Sequence, residues 1–112
     1  MIMRMWKARA TANGANAYVQ HATKIVFPKV SAIHGNQGAY LLRRKTARDV
    51  ELLVVTLWDS MEAIRRFAGP HPHQAVVEPE ARAVLASFDE TVTHFEVVER
   101  LGCSTAKGLS PE

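Results

Sequence analysis

The sequence predicts an α+β fold of the ferredoxin-like β-α-β-β-α-β type, and two features of the chain carry this prediction. The apolar pattern changes within two residues from that of a strand, ending at Trp58, to that of a helix beginning after Asp59. The strand before this change has a nearly continuous apolar run, Leu52 to Leu57, so both of its faces should be covered. A chain of 112 residues can cover only one face itself, so a second copy is expected on the other.

Length and composition indicate one domain, because 112 residues with 47% apolar content suit a single core. No apolar run approaches the length of about 20 residues that a bilayer crossing needs. Arg4 and Lys7 also interrupt the segment where a signal peptide would be apolar. We therefore expect a cytoplasmic protein that does not contact a membrane. The single cysteine, Cys103, cannot form an intrachain disulfide and is interpreted as inert.

The formal net charge of +3 is modest, and the basic residues gather around 43–48. Acidic residues follow directly, and no aromatic side chain is interleaved with these cations. Such a pattern is typical of an exposed strand connection and not of a nucleic-acid interface. Nucleic acid is therefore not an expected partner.

The first half of the predicted unit is a strand and a helix. Met1–Ala10 has the alternation of a strand, and Thr11–Gly14 has the composition of a turn. A helix should begin at about Asn16, because apolar residues then recur at helical spacing. Pro28 lies inside this pattern and lacks a backbone donor, so the helix should kink near Lys24 to Phe27 or break in two.

A hairpin and a second helix follow. The two strands are predicted over Ala39–Arg44 and Val50–Trp58. Asp59 is the predicted N-cap of the next helix, with Glu62 reaching back as in a capping box. This helix should run to Phe67 and end at the Ala-Gly-Pro sequence that follows.

The last part of the unit is a helix and a strand. Pro79 marks a helix start, and Phe88 falls on the inner stripe of this helix with Val84 and Leu85. The final strand is predicted over Thr91–Glu99. The domain is thus assigned to 1–99, and 100–112 is expected to be a flexible C-terminal tail.

Four motifs resemble those of the antibiotic biosynthesis monooxygenase family and occur in the same order. They are Trp58-Asp59-Ser60, Phe67-Ala68-Gly69-Pro70, Glu78-Pro79-Glu80-Ala81 and Val92-Thr93-His94-Phe95-Glu96-Val97. The resemblance implies a homodimer in which two ferredoxin-like units pair through their sheet faces as a dimeric α+β barrel. It also implies a substrate cavity in each subunit between helices and sheet. Members include cofactor-independent oxygenases of aromatic polyketides, quinol oxygenases and haem-degrading enzymes.

The haem-degrading branch can be tested at three particular positions. Its members resemble one another in an Asn on the first strand, a Trp at the end of the helix after the third strand, and an iron-binding His further on. The positions aligned with these three are Lys7, Phe67 and Val77. None carries the expected side chain, so haem degradation is not expected and no cofactor is predicted.

Two loop histidines are the predicted catalytic residues. His71 or His73 at the mouth of the cavity could take a proton from a phenolic or enolic substrate, because imidazole titrates near neutrality. The structural alternative is a pair of solvent-exposed loop side chains. The same pair with His94 and Glu96 has too weak a spacing signal for a metal site, so none is predicted.

The predicted substrate-binding residues are aromatic or lie near aromatic positions, and a cavity that they line would suit a small planar hydrophobic molecule. They are Trp6, Tyr18, His21, Trp58 and Phe67. Each of them is also an ordinary core residue.

Two functions from different classes remain open. One is a small monooxygenase acting on an aromatic, quinol or polyketide-like substrate; the other is a non-catalytic protein that binds a small hydrophobic ligand or only retains the fold. A deep cavity that a histidine or Arg43 enters would favour the enzyme. A cavity filled by Met3, Met5, Trp6 and Phe67 would favour the non-catalytic protein.

Overall fold

An antiparallel sheet with helices on one face makes up residues 1–102, the part of the chain that the computed structural model describes. In chain order the elements are β1 (Ile2–Ala10), α1 (Ala12–His21), a π-helical turn (Ala22–Val26), α2 (Phe27–Ser31), β2 (Asn36–Lys45), β3 (Val50–Trp58), α3 (Met61–Ala68), α4 (Pro79–Val84), β4 (Ser87–Phe88) and β5 (Thr93–Glu96). Cys103 and residues 103–112 of the predicted tail lie outside the described residues. No helix within residues 1–102 combines the length and the apolar character needed to cross a membrane.

The strand order confirms the predicted ferredoxin-like α+β fold. β2 pairs with β3, β3 with β1, and the free edge of β1 receives both β4 and β5. The final strand is therefore shorter than predicted and is preceded by a second short strand. Phe88 belongs to this strand and not to a helix, because the chain after Val84 follows β1: Ala86 N–H donates to the Arg9 carbonyl at 2.8 Å.

α1 begins earlier than predicted. Thr11 caps it, with Oγ1 accepting from the Gly14 N–H at 3.0 Å. Residues 11–14 have the composition of a turn, but Gly14 lies within α1 and packs closely against α4. A Cβ at this position would lie 2.3 Å from the Val84 carbonyl oxygen, so only glycine lets α1 approach α4 this closely.

The predicted irregularity before Pro28 is confirmed. The helix widens to a π turn over Ala22–Val26, where the Phe27 N–H donates to the Ala22 carbonyl, and it resumes as α2. Proline has no N–H for the carbonyl four residues earlier, so the ladder is interrupted here.

The predicted cap of α3 is wrong. Ser60 Oγ accepts from the Ala63 N–H at 3.2 Å and is the N-cap. Asp59 instead accepts from Gln37 Nε2 at 2.7 Å. Asp and Ser are both favoured N-cap residues, so the local sequence does not distinguish Asp59 from Ser60. The hydrogen bond from Gln37 to Asp59 is a contact between distant residues and could not be predicted.

Strand alternation divides the sheet into two different faces. The helix face carries two apolar clusters, one around Trp6 and Leu52 and one around Trp58 and Ile64. The opposite face, called here the outer face, carries Met3, Met5, Tyr40, Leu42, Leu53, Val55, Leu57 and Phe95. Tyr40 and Phe95 are each 53% exposed, so much apolar surface on this face remains open to solvent.

We predict that the outer face pairs with that of a second copy. Burying apolar surface contributes about 25 cal/mol per Å², which favours association over exposure. Light scattering after size exclusion at micromolar concentration should give twice the chain mass of 12.4 kDa. Tyr40→Glu should shift the protein toward monomer, because the dimer would bury its charge.

Ile25→Glu is the matched control, because Ile25 is 44% exposed on the π turn and away from the outer face. A monomeric wild type, or equal dissociation of both variants, would contradict the sheet-to-sheet dimer.

Candidate functional site

A cavity of about 60 Å³ lies between the helix face of the sheet and the segment from α1 to α2. Its aromatic lining consists of Trp6, Tyr18, Phe27 and Phe67. This volume holds roughly two water molecules at about 30 Å³ each. A ring system could enter only if side chains at the mouth move, and Val76, which is 44% exposed, lies there.

The floor of the cavity comes from the pairing of β1 with β3. The register places Arg4 opposite Thr56 and Trp6 opposite Val54, and all four side chains line the cavity. Trp6 is held in place because its indole Nε1 donates to the Asp89 carbonyl at 2.8 Å. Its ring centroid lies 6.0 Å from that of Tyr18.

Four polar residues form one part of the lining, called here the polar corner: Tyr18, His21, Lys29 and Glu78. His21 Nε2 lies 3.2 Å from Glu78 Oε1, close enough for an ion pair but not aligned as a hydrogen bond. Lys29 Nζ donates to Glu78 Oε2 at 3.0 Å.

The charges in the polar corner follow from these contacts. The hydrogen bond from Lys29 holds the pKa of Glu78 below its usual range. Burial, and then the charge of Glu78, raise the pKa of Tyr18 to about 12. At neutral pH Glu78 is therefore a carboxylate and Tyr18 a protonated phenol.

Arg4 is a buried cation in another part of the lining, with only 6% of its surface exposed. Its Nη2 donates to the carbonyls of Gln74 at 2.8 Å and Pro72 at 3.3 Å, and its guanidinium lies 5.4 Å from the ring centroid of Phe67. Its Nε is buried without a hydrogen-bond partner. No carboxylate within residues 1–102 forms an ion pair with it. Burial accordingly lowers the pKa of Arg4 to about 10.

Two imidazoles lie near Arg4. The rings of His73 and His94 meet edge to face with centroids 5.0 Å apart. Burial, followed by the charges of Arg4 and His73, lowers the pKa of His94 below its usual value. Neither the neutral nor the protonated form of an imidazole is negatively charged, so neither ring provides a counter-charge to Arg4.

The structure brings together most of the residues predicted to bind substrate. Trp6, Tyr18, His21 and Phe67 line the cavity. Trp58 lies behind it, fully buried and stacked on Phe67 with centroids 5.9 Å apart.

The two predicted catalytic histidines lie outside this lining. His71 and His73 are both exposed, and His73 contacts His94. Arg43 is also outside it and donates to Asn16 Oδ1 at 3.3 Å. Met3 and Met5 lie on the outer face, so they do not fill the cavity.

Three further residues line the cavity and were not predicted to do so: Arg4, Thr56 and Glu78. The signal for Arg4 was present, because strand alternation places it on the same face as Trp6. Glu78 precedes a short helix, and nothing local indicates that its carboxylate meets His21 on α1.

The residues of the cavity do not fit haem. Lys7 lies on the outer face, so the cavity positions of the first strand are Arg4 and Trp6, neither of which is Asn. Phe67 and Val77 line the cavity, and neither supplies an indole N–H or an iron ligand. Among the lining residues His21 alone carries an imidazole, and the cavity of about 60 Å³ around it is far too small for a porphyrin. In the described part of the chain, no group of three or more metal-binding side chains is formed.

Solved structures with the same fold are found at low sequence identity. A protein described as a candidate antibiotic biosynthesis monooxygenase from Deinococcus radiodurans has a TM-score of 0.63 and 14% identity, covering 93% of this chain and 99% of the other. The heme-degrader MhuD from Mycobacterium tuberculosis has a TM-score of 0.59 and 24% identity, covering 91% and 100%. SnoaB, a cofactor-independent oxygenase from Streptomyces nogalater, has a TM-score of 0.58 and 20% identity, covering 89% of this chain and 95% of the other.

No family model matches the chain, and no curated protein matches it. The structural matches nevertheless confirm the fold of the antibiotic biosynthesis monooxygenase type that the four motifs predict. They include both oxygenases and a heme-degrader, so the fold alone does not give the reaction.

We predict that haem does not bind specifically. Adding haem to the purified protein should give no sharp, saturable Soret shift at one equivalent per chain, because Lys7, Phe67 and Val77 replace the Asn, Trp and iron-binding His of the haem-degrading branch. A saturable shift that is lost in His21→Ala, or in variants of His71 or His73, would contradict this prediction.

Proposed function

We propose that this chain is a small cofactor-independent monooxygenase that oxidises an aromatic or quinol-type substrate in the cavity. The observation that carries the proposal is the contact between His21 and the Glu78 carboxylate in the lining of the aromatic cavity. The shared fold with SnoaB, which is described as a cofactor-independent oxygenase, supports the same reaction class.

The polar corner supplies the base. A neutral His21 can accept a proton from a phenolic O–H or an activated C–H, and the adjacent Glu78 carboxylate stabilises the imidazolium that forms. We assign this role to His21 rather than to His71 or His73, because His21 lines the cavity and the loop histidines are exposed. Tyr18 stays protonated and can donate a hydrogen bond to the substrate.

The reaction then needs only the substrate and molecular oxygen. Loss of a proton from a ring CH₂ beside phenolic groups gives a carbanion, which transfers electrons to O₂ and forms a C–O bond as a peroxide. Loss of water breaks the O–O bond and leaves a carbonyl. In sum, CH₂ and O₂ give C=O and H₂O, so carbon is oxidised and oxygen reduced without another electron donor. The protein contributes the base, the orientation of the ring and the exclusion of water.

The proposed enzyme is a homodimer. The outer face of each subunit is the apolar surface that a second copy would cover, while the cavity lies on the helix face. Each subunit would thus keep its own cavity. Packing of the second copy on the outer face would stabilise β1 and β3, which form the floor of that cavity.

A non-catalytic ligand-binding protein is the second candidate function. The observation that favours it is the mostly apolar lining of the cavity, which can hold a hydrophobic molecule by burial and ring contacts alone. Oxygen consumption distinguishes the two functions, because a binding protein would take up the ring without turnover.

We predict that truncating the aromatic lining weakens binding of a planar hydrophobic compound. Trp6→Ala and Phe67→Ala should each cost about 1 to 3 kcal/mol in a fluorescence titration with a naphthoquinone, because ring contacts and burial supply most of the affinity. Arg44→Ala is the control, since Arg44 pairs with Glu51 outside the cavity. The cavity assignment fails if Arg44→Ala abolishes binding and the aromatic truncations do not.

We also predict that turnover depends on His21. With an anthrone-type substrate in an oxygen electrode, His21→Gln should lower kcat by about 10²- to 10⁴-fold, the usual contribution of a general base. Glu78→Gln should have a smaller effect, because it removes only the charge that stabilises the imidazolium.

His71→Gln is the matched control and should keep the wild-type rate. Equal losses in His71→Gln and His21→Gln would refute the assignment of the base. Tight binding of the anthrone without oxygen consumption in the wild type would instead establish the binding protein.

A further inference from the structure

We propose that the cavity contains an oxyanion subsite formed by Arg4 and Thr56, so that its ligand is a planar aromatic compound bound as an anion. The inference rests on the proposed function in one respect, because both use the same cavity. It goes further by naming the charge of the ligand, and binding alone can test it.

The first observation is an unsatisfied donor. Arg4 is more than nine-tenths buried and lines the cavity, yet its Nε has no hydrogen-bond partner. Its contacts with Pro72 and Gln74 both use Nη2 and both are to neutral carbonyls. A guanidinium has five N–H donors, so donors remain for a ligand.

The second observation is the missing counter-charge. Buried arginines are normally paired with carboxylates, because removing a cation from water is costly. Within residues 1–102, all five ion pairs involve other groups, and the acidic residue of the cavity, Glu78, pairs with Lys29 and His21. His94 near Arg4 adds no negative charge, and burial has already lowered the pKa of the guanidinium. An anion in the cavity would supply the missing partner.

The third observation is a second donor beside the first. Thr56 is opposite Arg4 in the β1–β3 register and lines the same cavity. Its Oγ1 accepts from the Trp58 Nε1 at 2.7 Å, which leaves the hydroxyl hydrogen to donate. Cross-strand neighbours on one face have Cβ atoms about 5 Å apart, so both side chains can reach one oxygen.

The aromatic side chains around Arg4 and Thr56 indicate that the rest of the ligand is a flat ring. Phe67 lies beneath the guanidinium, and Trp6 is the next residue of β1 on the same face. Aromatic rings therefore flank the oxyanion position. A flat ring with an acidic oxygen satisfies both the apolar lining and the buried cation, whereas an inorganic anion satisfies only the cation.

The acidic oxygen could belong to a carboxylate or to an ionised phenol or enol, and matched naphthalenes separate these sources. Isothermal titration at pH 7 compares 2-naphthoate with 2-naphthamide, which has the same shape without the charge. 2-Naphthol tests the second source, because its absorption spectrum changes when the hydroxyl ionises. We expect the wild type to bind 2-naphthoate about tenfold or more tightly than the amide, or to bind 2-naphthol as naphtholate.

Variants then assign the effect to the two residues. Arg4→Gln should abolish the preference for the anion while the amide still binds, and Arg43→Gln, with the same loss of charge outside the cavity, should keep the preference. Because Arg4→Gln also loses contacts to Pro72 and Gln74, Thr56→Val and Thr56→Ser provide a second pair. The valine variant should reduce the preference several-fold, and the serine variant should retain it.

The outcomes separate this inference from the proposed function. A wild type that binds 2-naphthoate no better than the amide and 2-naphthol only in its neutral form overturns the subsite, even if an anthrone is oxidised. An unchanged preference in both Arg4→Gln and Thr56→Val also overturns it. A clear preference for the anion without any oxygen consumption supports the subsite and removes the monooxygenase.

Discussion

The pairing of β1 with β3 is the constraint on which the rest of this molecule depends. The register runs without a shift from Ile2 opposite Trp58 to Ala10 opposite Val50. Because side chains alternate along a strand, this register decides which residues face the helices and which face outward. A slip of one residue would move Arg4 and Trp6 out of the cavity and place Met5 and Lys7 inside it. The same pairing therefore produces the apolar outer face and the mixed polar and aromatic floor.

The elements that the sequence predicts well are those in which local signals and the sheet agree. Three elements follow from residues within a few positions: the apolar strand that ends at Trp58, the irregularity before Pro28 and the helix start at Pro79. The failures have non-local causes. Gly14 lies in a helix and not in a turn because it packs closely against α4, and Asp59 is not a cap because Gln37 at the start of β2 donates to its carboxylate.

The aromatic lining of the candidate site and His21 were predictable from the sequence, but its charged residues were not. Trp6, Tyr18 and Phe67 could be assigned to a cavity because large aromatic residues near one end of a sheet tend to pack together. The pairing of His21 with Glu78 joins residues far apart in the chain, and no spacing rule connects them. The chemistry of imidazole favours His71 and His73 as bases, but the turn that contains them leaves both side chains exposed.

Arg4 shows how a residue can be explained by function where folding does not explain it. A methionine or leucine at this position would fill the same space without the cost of desolvating a cation. The guanidinium is instead held by two carbonyls and the ring of Phe67, which fix its orientation but do not neutralise it. Sites that break a rule of packing are commonly those that bind or react, because the missing partner is supplied by the ligand. The polar corner differs from Arg4, because its carboxylate already has a cationic partner in Lys29. In the proposed reaction, Glu78 would stabilise the positive charge that forms on His21 when it accepts a proton. In the function proposed here, the cation that lacks a counter-charge would hold an anionic ligand, and the imidazole beside a paired carboxylate would accept a proton.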